Sequence, residues 1–186
     1  MLTCAACGAA NANEARFCSS CGASLFTSAD GESRRLVTVL FCDLEDSTLL
    51  GSRLDPESLR RVVTRYFEES RTAVGRHGGT VEKFIGDAVM AVFGVPVLHE
   101  DDALRAIRAA MDMHEALETL NDELEHDWGV RLQHRIGVSS GEVVAADPVG
   151  GQSFVTGECV NLASRLEASA TAGTILLGEE DRKSVV

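Results

Sequence analysis

The spacing of apolar and polar positions changes several times along the chain, and each change predicts an element. "RLVTVLFCD", residues 35–43, is rich in β-branched and apolar side chains and too short for a buried helix, so it predicts a central strand ending at Asp43. "DLEDSTLLG" then turns away, with several residues suited to cap a helix. From Pro56, the positions Leu59, Val62, Val63, Tyr66, Phe67, Ala73 and Val74 recur at helical spacing, and "HGG" at 77–79 closes that helix. "TVEKFI" and "AVMAVFG" are short strands on either side of Gly86 and Asp87, which predicts a β-hairpin with Asp87 at its tip.

Residues 99–124 begin with acidic side chains and place Leu104, Ile107, Met111, His114, Leu117, Leu120 and Leu124 on one stripe, the pattern of a long packing helix. Beyond it, "VRLQHRIGVSSGEVVAAD" predicts one strand, or two with a bend between Gly137 and Gly141. "QSFVTGE" follows as a strand, "CVNLASRLEASA" as a helix and "GTILLGEE" as a last strand. Strands and helices interleave without a repeat, so the class is α/β or α+β. Met90, Met111 and Met113 are read as fillers of core gaps, and Cys42 and Cys159 as core thiols.

The first residues obey a different rule. Cys4, Cys7, Cys18 and Cys21 form two C-x-x-C pairs, each followed by glycine. Such turns aim pairs of thiolates at one centre and complete a tetrahedral Zn²⁺ site, whereas two disulfides would require an exported protein. Four thiolates close the coordination shell, which makes the zinc structural, and a segment this short takes its folding energy from the metal. Residues 1–26 are therefore expected to form a zinc ribbon. Residues 27–34 read as a linker and 35–180 as the main domain. The closing "DRKSVV" matches the translation of a common sequencing adapter. Residues 181–186 are accordingly read as an artefactual tail, and the natural protein is expected to continue beyond about Glu180.

A net charge of −12 disfavours a nucleic-acid partner, because neutralising phosphates needs clustered Lys and Arg. No apolar run approaches a membrane span, and the N-terminus lacks a signal-peptide pattern, so a cytoplasmic protein with no membrane partner is expected. Three charged features interrupt the apolar pattern. Asp43 ends a strand and Asp87 tips a hairpin; each alone is an ordinary turn residue, but if the strands are neighbours the two form the hard oxygen site that Mg²⁺ or Mn²⁺ prefers. Asn161 and Arg165, spaced i, i+4, project from one helix face, either to clamp a phosphate or sugar oxygen or simply into solvent. His99, His114, His126 and His134 show no metal-binding spacing.

"TVLFCDLEDST", "VEKFIGDAVMAVFG", "HRIGVSSGEVVA" and "FVTGECVNLASRL", in this order and spacing, resemble the catalytic domain of class III nucleotidyl cyclases. The resemblance runs from about Arg34 to Glu180 and implies an α+β sandwich: a palm-like, ferredoxin-like sheet with flanking helices, preceded here by the small zinc ribbon. It implies a homodimer with active sites shared between the chains, and conversion of ATP to 3′,5′-cyclic AMP and pyrophosphate in signal transduction. Asp43 and Asp87, with the carbonyl of Leu44, match the ligands of two Mg²⁺ or Mn²⁺ ions. The turn of Glu45, Asp46, Ser47 and Thr48 matches the phosphate-holding backbone. Lys83 matches the purine-reading lysine, and Asn161 and Arg165 the pair that orients the ribose and stabilises transition-state charge.

Two positions depart from the family pattern. Asp46 stands where a small residue is usual, and puts a carboxylate close to the phosphates. Phe154 stands where many adenylyl cyclases have Asp or Thr to partner the lysine, and it cannot accept a hydrogen bond from the base. Adenine selectivity is then expected to rest on Lys83, shape and a backbone carbonyl. These departures motivate the alternatives of a catalytically weak or inactive nucleotide-sensing domain and of a guanylate cyclase. Relatives with this ribbon often continue into an ATPase module and helical repeats.

Overall fold

The computed structural model describes residues 2–4, 7–13, 15, 17–22, 32–45, 47–146 and 155–185. Phe154, Asp46 and most of the expected linker lie outside the described residues. At the N-terminus, β1 (Leu2–Thr3) and β2 (Ala10–Asn11) pair antiparallel beside the four cysteines.

The main sheet is built on β3 (Glu32–Glu45). Its alternation serves two cores: Leu40, Cys42 and Leu44 face one way, and Val37 and Val39 the other. Burial on both faces is what makes it central. The strand is longer at both ends than the expected 35–43, because all 14 of its residues find antiparallel partners on β6 (Gln133–Ala146), from Glu32 opposite Ala146 to Glu45 opposite Gln133. The expected turn at 45–48 shrinks accordingly, with Glu45 in the strand and α1 (Ser47–Arg53) beginning two residues later.

In α2 (Pro56–Arg76), Asp55 caps the N-terminus by accepting from the backbone N–H groups of Glu57 and Ser58 at 3.0 and 2.9 Å. The hairpin of β4 (Thr80–Ile85) and β5 (Ala88–Phe93) turns at Gly86, whose φ of +66° is the left-handed conformation that glycine adopts without strain. The long helix α3 (Asp102–Trp128) starts and ends later than expected and stops at Gly129, again left-handed. β6 is a single strand with no break at Gly137 or Gly141. After it come β7 (Val155–Thr156), α4 (Glu158–Ser169), β8 (Ile175–Leu177) and the short α5 (Glu179–Arg182). The strand order is β4-β5-β3-β6-β7, antiparallel throughout, with β8 added parallel to β6.

Helices α2 and α3 cover the face bearing Leu40, Cys42, Ile136 and Val138, and α4 covers the face bearing Val37, Val39 and Val143. This is an α+β sandwich. Met111 does not fill the core: it is 59% exposed. The inward stripe of α3 runs instead through Ala106, Ala109, Ala110 and Met113. Small alanines let the helix axis approach the sheet closely, which leaves Met111 on the outer flank. Met90 and Met113 are buried as expected, as are Cys42 and Cys159.

Gly137 sets the seat of α4. A β-carbon there would lie 2.2 Å from the carbonyl oxygen of Ala163 and 2.4 Å from the backbone nitrogen of Glu167. Both obstacles are backbone, so neither can rotate away. Gly137→Ala is expected to cost about 3 kcal/mol of stability, read as a lowered denaturation midpoint.

Behind β6, His134 is fully buried and its Nε2 lies 2.7 Å from His114 Nδ1, while Tyr66 hydroxyl lies 3.1 Å from Cys42 Sγ. Burial, reinforced by His114, pushes the His134 imidazole down to about 3. The folded protein thus holds this ring neutral while the unfolded chain protonates it near 6.5. Its contribution to stability is complete above pH 6.5 and is lost as pH falls towards 3, by up to about 1.4 kcal/mol per pH unit. A His134→Leu variant should lose less stability over that window than the parent, as denaturant titrations at several pH values would show.

Candidate active site

Strand alternation decides which charged groups meet. Asp43 shares the α4 face of β3 with Val37 and Val39, and Arg135 stands directly opposite it on β6. Arg135 Nη2 donates to Asp43 Oδ2 at 3.0 Å and lies 3.4 Å from Glu167 Oε1 on α4. Asp87, half-buried at the hairpin tip, brings its charge to the same point. Burial first, and then the Asp87 charge, push the Asp43 carboxyl above its usual range, against the opposing pull of Arg135. Glu167 is raised likewise, by burial and then by Asp43. Two carboxylates therefore flank one guanidinium, and a third, Asp87, acts on both of them. The excess negative charge and the oxygen-only donor set are the chemistry a hard divalent cation takes, and Asp43 and Asp87 are the carboxylates that could hold one.

Arg135 and Glu167 were not anticipated from the sequence as site residues. A lone arginine within the apolar run "RIGV" and a glutamate four residues after the inward-facing Ala163 were the available signals. Leu44 follows Asp43 with its side chain buried, and Glu45 ends the strand. Lys83 lies on β4, on the same side of the sheet as its cross-strand partner Met90. Asn161 and Arg165 stand on the exposed side of α4, beside the half-exposed Leu162, while Cys159, Ala163 and Glu167 face inward. Among the described residues no hydrogen bond or ion pair joins Asn161 or Arg165 to Asp43 or Arg135. Asp43 and Asp87 thus lie close to each other, while Lys83 stands on β4 and Asn161 and Arg165 on the exposed side of α4.

Residues 30–185 match the family described as the adenylate and guanylate cyclase catalytic domain. The chain belongs to that family. Residues 3–25 of the same cyclase chain match a zinc-ribbon domain. It is 34% identical over 143 residues to an adenylate cyclase of Anabaena cylindrica, covering 73% of this chain and 27% of that one. Among solved structures, the adenylyl cyclase CyaB of P. aeruginosa superposes with a TM-score of 0.78 at 29% identity, covering 83% of this chain and 82% of the other. The guanylyl cyclase Cya2 gives 0.77 at 32% identity, with 84% and 81% covered. The cyclase chain spans only 15–27% of the length of the first curated relatives it matches.

In the ribbon, the four cysteine sulfurs lie within 4.8 Å of one another, with Cys4 and Cys21 at 3.7 Å and Cys7 and Cys18 at 3.6 Å. A tetrahedron with zinc–sulfur bonds of about 2.3 Å has edges of about 3.8 Å, so the set fits Zn²⁺. Backbone N–H groups of Cys21 and Ser20, helped by the Asn11 amide, draw the Cys18 thiol down to about 6, into the thiolate form a metal binds. No helix among the described residues is long and apolar enough to cross a membrane.

Proposed function

We propose that this domain is an adenylate cyclase, turning ATP into 3′,5′-cyclic AMP and pyrophosphate at sites shared between two copies of the chain. The observation that carries the proposal is the cluster of Asp43, Asp87 and Arg135, which we read as the acidic half of a site whose polar half is Lys83 on β4 with Asn161 and Arg165 on the exposed side of α4. A head-to-tail pair sets the acidic half of one chain against the polar half of the other.

Two Mg²⁺ or Mn²⁺ ions held by Asp43, Asp87 and the Leu44 carbonyl would supply neutralisation of the triphosphate and a more acidic ribose 3′-hydroxyl. The chain's own groups do the rest. Arg135 fixes the rotamer of Asp43 and holds down the net charge of the acidic cluster. The backbone from Glu45 to Thr48, running into the start of α1, offers amides to phosphate oxygens. Asn161 orients the ribose, and Arg165 meets the charge that grows in the transition state. Lys83 donates to the purine. The ribbon contributes a zinc-folded docking module for a partner or for another part of a longer, cytoplasmic protein.

Incubating the dimer with ATP or GTP and Mn²⁺, followed by chromatography of the products, tests the proposal. Cyclic AMP in excess of cyclic GMP is expected. Nucleotide binding with no cyclic product would favour the sensing-module alternative suggested by Phe154 and Asp46; cyclic GMP in excess would make it a guanylate cyclase.

A further inference from the structure

β4 contains one residue more than its partner needs. Val81 pairs with Ala91 and Lys83 with Met90, so Glu82 is the extra residue of a β-bulge. Val81 and Phe84 both pack into the core beneath α2 and α3, and Phe84 stacks on Phe67 with ring centroids 4.2 Å apart. The two residues between them, Glu82 and Lys83, must therefore face the opposite side together, where strict alternation would have separated them.

Glu82 is only 7% exposed, yet it is acidic. Its Oε2 is buried with no hydrogen-bond partner among the described residues. Burial raises its carboxyl, and the neighbouring Lys83 charge opposes that rise. An orphaned carboxylate oxygen is costly in a folded protein, and leucine or methionine would fill the space without that cost. A buried acceptor left open beside the proposed purine-reading lysine calls for a ligand.

We propose that Glu82 is a second base-reading residue, whose free carboxylate oxygen accepts a hydrogen bond from the exocyclic amine of adenine while Lys83 donates to the ring nitrogen beside it. The inference rests on the cyclase site proposed above. It supplies, from a bulge on β4, the acceptor that Phe154 lacks by its chemistry. An acceptor and a donor side by side match the amine and ring nitrogen of adenine, an edge that guanine presents in reverse order.

The test compares ATP with purine riboside triphosphate, which lacks only the amine, by equilibrium binding and by kcat/KM. The parent should prefer ATP at least about tenfold, the weight of one hydrogen bond to a charged group. In Glu82→Leu that preference should fall towards one. In Glu82→Gln, which keeps an acceptor of the same shape but no charge, it should be intermediate; this variant also serves if the leucine chain does not fold. Thermal melts establish that each variant is folded. An unchanged preference in a folded variant, or equal losses with both nucleotides, overturns the role of Glu82 and leaves the cyclase reading standing. A parent that binds neither nucleotide removes both.

Discussion

Asp43→Asn will abolish cyclic nucleotide formation, by at least about a thousandfold in kcat/KM, while leaving the protein as stable as the parent or more so. The loss follows from removing one of the two carboxylates proposed to hold the divalent cations, on which neutralisation of the triphosphate would depend. The retained stability follows from the geometry around Arg135. Its guanidinium keeps Glu167 at 3.4 Å when Asp43 is neutralised, so no buried cation is stranded. The cost of burying the Asp43 charge, and its repulsion with Asp87 and Glu167, are also relieved. Product assays at saturating Mn²⁺ together with thermal melts read the two effects separately. A variant that is both inactive and unfolded would mean that Asp43 is a structural partner of Arg135, and a variant that keeps its turnover would remove Asp43 from the site.

Mixing two dead chains should restore activity. Lys83→Ala removes a purine contact from the polar half-site and Asp87→Ala removes a carboxylate from the acidic one, and each homodimer then has two defective sites. In a heterodimer one site takes Asp87 from the first chain and Lys83 from the second, and is intact. Random pairing of equal amounts makes about half the dimers mixed, each with one working site of two, so about a quarter of parental activity should return. A mixture as inactive as its components, in which mass measurement shows that mixed dimers have formed, would show that each site is built from a single chain.

The core strand, the two long helices and the hairpin were legible because their apolar spacing is strong and local. Asp43, Asp87, Lys83, Asn161 and Arg165 were visible as charged or polar residues at a strand end, at a hairpin tip, within an apolar strand or on one helix face. Arg135 and Glu167 were not. Each sits in a segment whose pattern is satisfied without it, and their meaning appears only when β6 is set beside β3 and α4 is laid across both. Met111 was misplaced for a related reason: helical spacing identifies a stripe, but the alanines that bring the helix axis close to the sheet decide which edge of that stripe is inside. The extended ends of β3 came from pairing with β6, a partner nearly a hundred residues away that no local window contains.

The bulge on β4 also fixes where this hairpin tolerates a change of length. Deleting Glu82 would make the pairs Val81–Ala91 and Lys83–Met90 consecutive, restoring a regular ladder in which Val81, Lys83 and Phe84 all keep their present faces. Loss of Lys83 would do the same, with Glu82 left opposite Met90, whereas loss of Phe84 would change which side chains face the helices. The strand can thus be shortened without penalty to its register only within the pair Glu82 and Lys83, and one of the two is a buried acid.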